Sequence, residues 1–237
     1  MQCSLSNRYF VANLALIIPA AGSGTRMQCS VPKPYIKIAD KTILGHTLSC
    51  FKDISSINQI IISTTEEFNL ESVKIAESIF PGISIACAKG GKERQDSIRN
   101  ALDLLMDDVD YVIVHDAVRP FIRTNTILEC IKAAKEAKAA IVAVPVKDTV
   151  KVVNKDLFIE STPQRNELWN AQTPQIFEKK LLLRAYSHSK KIRFIGTDDA
   201  SLVEKMGETV KIVEGSRENI KITYPLDMRL AKNLLED

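Results

Sequence analysis

The chain has 237 residues, of which 45% are hydrophobic and 26% are charged, proportions that are ordinary for a soluble globular protein. Its 32 basic and 29 acidic residues leave a net charge of +3, which is too balanced to predict nucleic-acid binding and restricts any anion site to a local cluster. The five cysteines are odd in number and none has CxxC spacing, so they predict reduced thiols in a cytoplasmic protein rather than a disulfide framework.

A buried strand is the first element that the sequence predicts. Residues 14–18 are apolar, and Pro19, which cannot donate to a sheet ladder, ends the run. The stretch from Arg8 onward also looks like a signal peptide, but Asn13 interrupts its apolar run, so a core strand is the better interpretation. No other stretch approaches the roughly 18 apolar residues of a membrane span. We therefore expect a cytoplasmic protein that does not interact with a membrane.

Helical and strand patterns alternate along the next part of the chain. Apolar residues at helical spacing predict a helix over 43–51, with Thr42 as its N-cap. Further helices are predicted over 71–80, 94–106 and 124–138, and strands over 57–62, 83–88, 111–114 and 140–144. This alternation predicts an α/β fold with a doubly wound, mostly parallel sheet.

Residues 146–171 interrupt this alternation. They predict two β-strands joined by a polar turn at 154–156, and because two strands alone are marginally stable, we expect this ribbon to pack on a second subunit. Beyond it, the sequence predicts a turn at 172–175, helices over 178–187, 198–206 and 225–235, and short strands over 210–213 and 219–222. No linker or repeat divides the chain, so we predict a single domain over residues 1–237 with a dimerisation arm at 146–171.

Three loops that follow predicted strands carry residue types suited to an anionic ligand. These loops cover residues 19–34, 89–97 and 115–120. The first contains Gly22 and Gly24 among small residues, which let backbone N–H groups approach a ligand, and Arg26 and Lys33 supply positive charge suited to a polyphosphate. Ligands of doubly wound sheets bind beyond the carboxyl ends of strands. The shared placement of the three loops therefore predicts one site.

The first loop matches neither of the standard glycine-rich phosphate motifs. Met27 occupies the position where a dinucleotide fingerprint needs its third glycine, which disfavours an NAD-binding oxidoreductase, and Lys33 is followed by Pro34 where a P-loop needs Ser or Thr. Taken alone, its glycines are equally consistent with an ordinary strand-to-helix turn. Asp116 follows a predicted strand directly, where one carboxylate suits Mg²⁺, although a loop carboxylate that caps N–H groups is the simpler interpretation of this residue by itself.

The complete string is more specific than its glycines. PAAGSGTRM at 19–27, followed by PKP at 32–34, resembles the signature of sugar-phosphate nucleotidylyltransferases. Within them, the chain from residue 15 to 234 resembles the 2-C-methyl-D-erythritol 4-phosphate cytidylyltransferase family. The resemblance implies a Rossmann-like nucleotidyltransferase fold and an Mg²⁺-dependent homodimer. It also implies transfer of CMP from CTP to 2-C-methyl-D-erythritol 4-phosphate, giving 4-diphosphocytidyl-2-C-methyl-D-erythritol and pyrophosphate in non-mevalonate isoprenoid synthesis.

The same resemblance implies roles for individual residues. Arg26 and Lys33 match the residues that stabilise the transition state at the triphosphate, and Arg165 and Lys221 match those that orient the acceptor. Asp116 matches the residue that binds Mg²⁺ and substrate. The other implied substrate contacts are Ala20, Ala21, Gly22, Gly91, Ser97, Arg119, Thr149, Thr173 and Thr197. In the family the arm reaches across the dimer, so Thr149 and Arg165 would serve the neighbour's site.

Two departures and two alternatives accompany this interpretation. The family pattern has Gln where Pro34 stands, and an acidic residue is common at the position of Lys92. A ribitol-5-phosphate cytidylyltransferase would share the loop and the arm, although the segments at 172–175 and 218–223 favour the isoprenoid enzyme. A non-catalytic nucleotide-sugar sensor on the same fold could lose the reactive cations or Asp116, and all of them are present in this sequence.

Overall fold

The computed structural model describes residues 12–22 and 31–236. Gly24 and Arg26, two predicted site residues of the first loop, lie outside the described residues. In chain order the strands are β1 (Leu14–Pro19), β2 (Lys37–Ile38), β3 (Lys41–Thr42), β4 (Ile57–Thr64), β5 (Ser84–Lys89), β6 (Tyr111–Val114), β7 (Ala139–Pro145), β8 (Val152–Val153), β9 (Ile159–Ser161), β10 (Trp169–Glu178) and β11 (Lys211–Glu214). The α-helices are α1 (Ile43–Ser49), α2 (Asn69–Ile79), α3 (Arg94–Leu102), α4 (Thr124–Ala137), α5 (Lys179–Ile192), α6 (Asp199–Glu204) and α7 (Pro225–Glu236).

The main sheet has a reversal of strand order beside β1. Within the described ranges its seven strands lie in the order β11-β7-β10-β6-β1-β4-β5. The chain passes from β1 outward to β4 and β5, and then returns to place β6 on the other side of β1. All neighbouring pairs are parallel except those of β10, which runs antiparallel to both β6 and β7. The predicted α/β fold with a mostly parallel sheet is confirmed.

Helices cover both faces of this sheet, which explains why β1 and β7 are apolar along their whole length. In β1, Leu14, Leu16 and Ile18 face the layer that contains α1, α2 and α4. Ala15 and Ile17 face the opposite layer, with α3, α5 and α6. Successive side chains of a strand point to opposite faces, so a strand that is buried on both sides reads as a continuous apolar run. The two cores hold the carboxyl ends of β1 and β6 next to each other.

The structure corrects three predicted elements. Residues 172–175 do not form a turn between elements, because they lie inside β10, where the Thr173–Pro174 peptide bond is cis. Pro174 has no N–H to donate, and it occupies the irregular register between Ala171 and Gln175, where the pairing with β7 is interrupted. The predicted strand at 219–222 is not formed: the N–H of Ile222 donates to the Val118 carbonyl, but those of Asn219 and Ile220 donate to the nearby carbonyls of Ser216 and Glu218. The helix predicted to reach residue 106 ends at Leu102.

The predicted arm is a separate ribbon of β8 and β9. These strands pair antiparallel, and the Asn154 side chain accepts hydrogen bonds from the backbone N–H groups of Asp156 and Phe158 at the polar turn. The ribbon ends earlier than predicted, because Trp169, Asn170 and Ala171 pair with β7 in the main sheet. We therefore define the arm as residues 147–168. No α-helix in the described part of the chain is long and apolar enough to cross a membrane.

Candidate active site

A cavity of about 540 Å³ opens where β1, β5 and β6 end. It lies at the point where the strand order reverses, which is where ligands of doubly wound sheets bind. The predicted site residues that line it are Ala20, Ala21, Gly22, Lys33, Gly91, Ser97, Asp116 and Lys221. The three loops singled out in the sequence therefore meet at one cavity, as their shared position after strands predicted.

Glycines allow two of these loops to touch. A Cβ atom on Gly90 would lie 2.2 Å from the Cβ of Ala21, and one on Gly91 would lie 2.2 Å from the Cβ of Asp96. The backbone N–H of Gly91 donates to Ser97 Oγ at 2.9 Å, which places Ser97 beside the cavity. Close backbone approach, rather than a positive φ, is thus the reason for glycine at both positions.

Tyr35 holds the turn that carries Lys33 at the cavity. Lys33 starts a short 3₁₀ turn, Lys33–Tyr35, and both ends of that turn are buried. The Tyr35 hydroxyl hydrogen-bonds Thr64 Oγ1 at 2.5 Å and Ser72 Oγ at 2.8 Å, and its ring stacks on Phe68. The turn is therefore fastened to the end of β4 and to α2, independently of the Lys33 ammonium group.

His115 and Asp116 point in opposite directions from the end of β6. His115 is fully buried against Phe51, and burial lowers its pKa to about 4, so the ring is neutral at physiological pH. Asp116 lines the cavity. Thr173 Oγ1 joins the two residues, since it accepts from the backbone N–H of Asp116 at 3.1 Å and lies 3.0 Å from His115 Nδ1. Thr173 therefore fixes the backbone that carries Asp116.

Three cations surround the Asp116 carboxylate. Arg94 Nε lies 3.2 Å from its Oδ1, while Arg119 Nε and Lys221 Nζ lie 3.2 Å and 3.0 Å from Oδ2. Burial by itself would raise the pKa of Asp116, but the positive charges of Arg94, Lys221 and Arg119 outweigh it and hold that pKa well below its usual range. The carboxylate is therefore ionised at every physiological pH.

Arg94 and Asp199 belong to this cluster and were missed by the sequence reasoning. Arg94 Nη1 lies 2.7 Å from Asp199 Oδ2, and Asp199 is 1% exposed. Arg94 stands three residues after the Gly-Gly pair, within the predicted site loop at 89–97, which was the available signal. Asp199 carried no comparable signal, because the sequence predicts a first-turn acid of a helix there, and 105 residues separate it from Arg94.

Three predicted substrate contacts lie elsewhere. Thr149 and Arg165 are exposed on the arm and are not among the described residues that line the cavity of their own chain. Arg165 Nη1 donates to the Lys147 carbonyl at 3.1 Å, which joins the two sides of the arm. Thr197 is exposed ahead of α6, and the side chain that caps this helix belongs to Asp198. The family departures at Pro34 and Lys92 both line the cavity.

Asp116 suits a single divalent cation. A carboxylate can accept about four hydrogen bonds, so the three contacts at Asp116 leave acceptor capacity. In the described ranges, no group of three or more His, Cys, Asp and Glu side chains could hold a metal ion. Mg²⁺ commonly takes one or two protein carboxylates and completes its shell with water and substrate phosphates. The donor set therefore fits Mg²⁺ bound together with a polyphosphate.

Comparison with known proteins points to one family. Residues 14–237 match the family described as 2-C-methyl-D-erythritol 4-phosphate cytidylyltransferase. A protein of that name from Clostridioides difficile is 46% identical over 224 residues, which cover 93% of each chain. Another, from Caldanaerobacter subterraneus, is 43% identical and covers 94% of this chain and 99% of the relative.

Solved structures with the same description share the fold. The 4-diphosphocytidyl-2C-methyl-D-erythritol synthase of Anaerococcus prevotii superposes with a TM-score of 0.84 at 32% identity, covering 96% of this chain and 100% of that one. The 2-C-methyl-D-erythritol 4-phosphate cytidylyltransferase of Thermus thermophilus gives 0.78 at 28% identity, covering 95% and 100%. Both superpositions therefore extend over nearly the whole length of this chain.

Proposed function

Since the chain belongs to the 2-C-methyl-D-erythritol 4-phosphate cytidylyltransferase family, we propose that the cavity beside Asp116 is the place where it carries out the family's reaction. The chain is a cytidylyltransferase that transfers a cytidylyl group from CTP to 2-C-methyl-D-erythritol 4-phosphate in isoprenoid precursor synthesis. The observation that supports this site is the set of three cations around one ionised carboxylate at the switch point of the sheet.

The charge of the cluster suits two phosphorylated substrates. Arg94, Arg119 and Lys221 contribute three positive charges and Asp116 and Asp199 two negative ones, which leaves +1 before Lys33 is counted. This excess would offset part of the negative charge of CTP and of the acceptor phosphate, and bound Mg²⁺ would offset more of it. In a partly enclosed cavity such preorganised charge acts more strongly than it would in water.

The reaction needs positioning and charge neutralisation more than it needs a proton carrier. An ionised phosphate oxygen of the acceptor attacks the α-phosphorus of CTP, a new P–O bond forms, and the bond to the leaving pyrophosphate breaks. Because the attacking oxygen is already ionised, no side chain has to remove a proton. The neutral, buried His115 accordingly faces the core and stays outside this proposal.

We assign the roles by position in the cavity or by contact with Asp116. Lys33 stabilises the triphosphate as charge develops on it, together with Arg26, which lies outside the described residues. Arg119 and Lys221 orient the acceptor phosphate beside Asp116. The cytidine contacts are Ala20, Ala21, Gly22, Gly91 and Ser97, with Gly24 as a further candidate outside the described ranges. Thr173 acts through Asp116, and Thr197 stays a prediction.

Asp116 is the residue that we propose to hold Mg²⁺. When bound, the ion would neutralise phosphate charge and polarise the reacting phosphoryl group. Arg94 and Thr173 would support this role by fixing the side chain and the backbone of Asp116 respectively.

We also propose that the chain is one domain that forms a cytoplasmic homodimer through the arm. Leu157, Phe158 and Ile159 are 80%, 71% and 62% exposed, and apolar side chains that project this far from their own chain gain from being covered by a second subunit. In such a dimer, Thr149 and Arg165 would reach the neighbour's cavity. Cys50, Cys87 and Cys130 are unpaired, which agrees with a reducing compartment.

Mixed dimers test the shared site. Arg165→Ala is expected to be inactive by itself, because each of its cavities lacks the arm cation. When it is mixed with the equally inactive Lys33→Ala protein, each hybrid dimer has one cavity with both cations, so activity should return to as much as about a quarter of the wild-type value under random exchange. Arg193→Ala, which removes an exposed cation that lies off the arm, is the matched control. Absence of recovery at every mixing ratio, with exchange verified by differently tagged subunits, would contradict the shared site.

The reaction itself is tested by pyrophosphate release from purified protein. We expect release to require Mg²⁺, CTP and 2-C-methyl-D-erythritol 4-phosphate together, and to fall on removal of any one of them, because each neutralises or supplies a reacting phosphate. Ribitol 5-phosphate and the other nucleoside triphosphates serve as comparison substrates. Release with ribitol 5-phosphate alone would contradict the assigned acceptor, whereas binding of CTP without release from any pair would indicate a sensor.

A further inference from the structure

Asp199 is a buried carboxylate whose charge the fold of α6 does not require. It is 1% exposed, at the first residue of a short helix. The helix is already capped by its neighbour Asp198, whose Oδ1 accepts from the backbone N–H of Ser201 at 3.0 Å. A buried ion pair contributes little net stability, because the cost of removing the charges from water offsets their attraction. The buried charge of Asp199 therefore calls for another explanation.

Asp199 is held rigidly by two other elements. Tyr186 of α5 donates its hydroxyl to Asp199 Oδ1 at 2.5 Å. Gln175 of β10 accepts at its Oε1 from the backbone N–H groups of Asp199 and Ala200, both at 3.1 Å. The second carboxylate oxygen is then left to accept from Arg94 Nη1 at 2.7 Å. Asp199 is thus an immobile anchor beside the cavity.

Arg94 connects this anchor to Asp116. Its Nη1 binds Asp199 and its Nε binds Asp116 Oδ1 at 3.2 Å. A guanidinium group is planar and presents its donors in a fixed fork, so holding one carboxylate also sets the position of the other. Lys221, which binds the opposite oxygen of Asp116, is 41% exposed at its side chain and has no comparable anchor among the contacts of the described residues.

We propose that Asp199 and Arg94 are a positioning pair that fixes the orientation of Asp116 for the reaction. The pair is electrically neutral, so Arg94 can hold Oδ1 without offering an uncompensated charge to the substrate phosphates. Lys221 is the cation that can turn toward a bound phosphate, while the contact through Arg94 stays in place. This inference rests on the proposed function, because it assigns Asp116 to the reacting groups.

Asp199→Asn is the direct test. Asparagine has a similar shape but carries no charge, so Arg94 would lose its counter-charge and turn toward Asp116 or toward the triphosphate. Loss of groups that orient a metal-binding residue commonly costs about 10–100-fold in metal affinity or activity. We expect kcat to fall by a factor in that range, while the KM for CTP stays the same or decreases, because the unbalanced Arg94 charge attracts the triphosphate.

Asp198→Asn is the matched control. It makes the same chemical change at the preceding residue, and Asp198 contacts Ser201 and Gln175 rather than Arg94. Because Gln175 also binds the backbone of Asp199, this variant measures how much the helix cap and the Gln175 contact contribute while the charge of Asp199 is kept. Arg94→Lys is a second variant, because a lysine keeps the charge but cannot bridge both carboxylates with a fixed fork. Thermal unfolding of all three proteins, and Mn²⁺ binding measured by water-proton relaxation with and without CTP, separate a change at Asp116 from a loss of fold.

The expected result is a lower kcat and weaker Mn²⁺ binding for Asp199→Asn and Arg94→Lys, with a much smaller change in both for Asp198→Asn. Equal effects of Asp198→Asn and Asp199→Asn would overturn the inference and indicate a role in the packing of α6. If the Asp199→Asn protein fails to fold, Arg94→Lys becomes the test of the positioning role. Unchanged kcat and unchanged Mn²⁺ binding in Arg94→Lys would also overturn the inference. Inactive wild-type protein would instead contradict the proposed function.

Discussion

Lys33→Ala is expected to lower turnover by roughly 10²–10³-fold or more, the usual effect of removing one transition-state charge. Lys33 lines the cavity at the end of the first loop and is only 8% exposed, so its ammonium group acts where water is largely excluded. The 3₁₀ turn that carries it should survive the change, because Tyr35 fastens that turn to Thr64 and Ser72. The loss should therefore appear in kcat and not in the unfolding temperature.

Lys37→Ala provides the comparison for this variant. Lys37 is exposed in β2, only four residues further along the chain, so it reports the effect of removing a lysine near the loop without touching the cavity. Initial rates at saturating CTP and acceptor, together with thermal unfolding, distinguish the two variants. Turnover of Lys33→Ala at the wild-type rate would remove Lys33 from the mechanism, and equal losses in both variants would indicate a general effect of charge.

Local sequence patterns predicted most of the helices and strands, because in those segments the local conformational preference agrees with the burial that the tertiary structure imposes. The apolar runs of β1, β4, β6 and β7 are strands because both faces of each strand are buried. The buried Gln59 of β4 is accommodated because its side chain hydrogen-bonds the backbone of Leu104 and Met106. Thr42 caps α1 as predicted, with its side chain accepting from the N–H of Gly45 at 3.0 Å. Elements that satisfy their own hydrogen bonds in this way can be recognised without knowledge of their neighbours.

The predictions that failed depend on partners far along the chain. Residues 172–175 have a turn-like composition, but Ala171 on one side pairs with β7 and Gln175 on the other pairs with β6 and β7, so the chain continues as one strand. The proline is accommodated between these pairs, where the register is irregular. The pattern at 219–222 has the composition of a strand, but Asn219 instead uses its side chain to bind the Gln172 side chain and the Thr173 carbonyl. In both segments, tertiary hydrogen bonds decide the outcome and local propensity does not.

The site was predictable to the extent that its residues carry short motifs. The glycines, Lys33 and Asp116 stand in loops that the strand pattern places at one edge, and the structure brings them together there. The Asp199–Arg94 contact has no such pattern. A carboxylate in the first turn of a helix is common at the surface, and nothing local indicates that the start of α6 is buried beside Tyr186 and Arg94. Resemblance implied roles for individual residues, and the structure adds how the Asp116 carboxylate is held.

Asp116→Asn is expected to lower Mg²⁺-dependent turnover by at least roughly 10²-fold, because it removes the proposed metal ligand and the group that Arg119 and Lys221 are arranged around. CTP binding without metal should persist, since the net charge of the cluster rises from +1 to +2 when the carboxylate is lost. The variant thus separates binding from turnover, measured by calorimetric titration of CTP and by pyrophosphate release. Asp103→Asn, at an exposed position past α3, carries the same change outside the cavity.

The difference in the free energy of unfolding between the wild type and Asp116→Asn should also depend on pH in a defined direction. Removing one partner of a buried ion pair costs about 3–5 kcal/mol, and the partial exposure of Arg94 and Lys221 lowers that figure. Because the pKa of Asp116 is depressed in the folded protein, its contribution is complete above the ordinary Asp pKa of about 4 and is lost as the pH falls toward the depressed value. The stability gap between wild type and variant should therefore be constant near neutral pH and narrow below about pH 4. A gap that widens on acidification would show that Asp116 is not held ionised by its three cations.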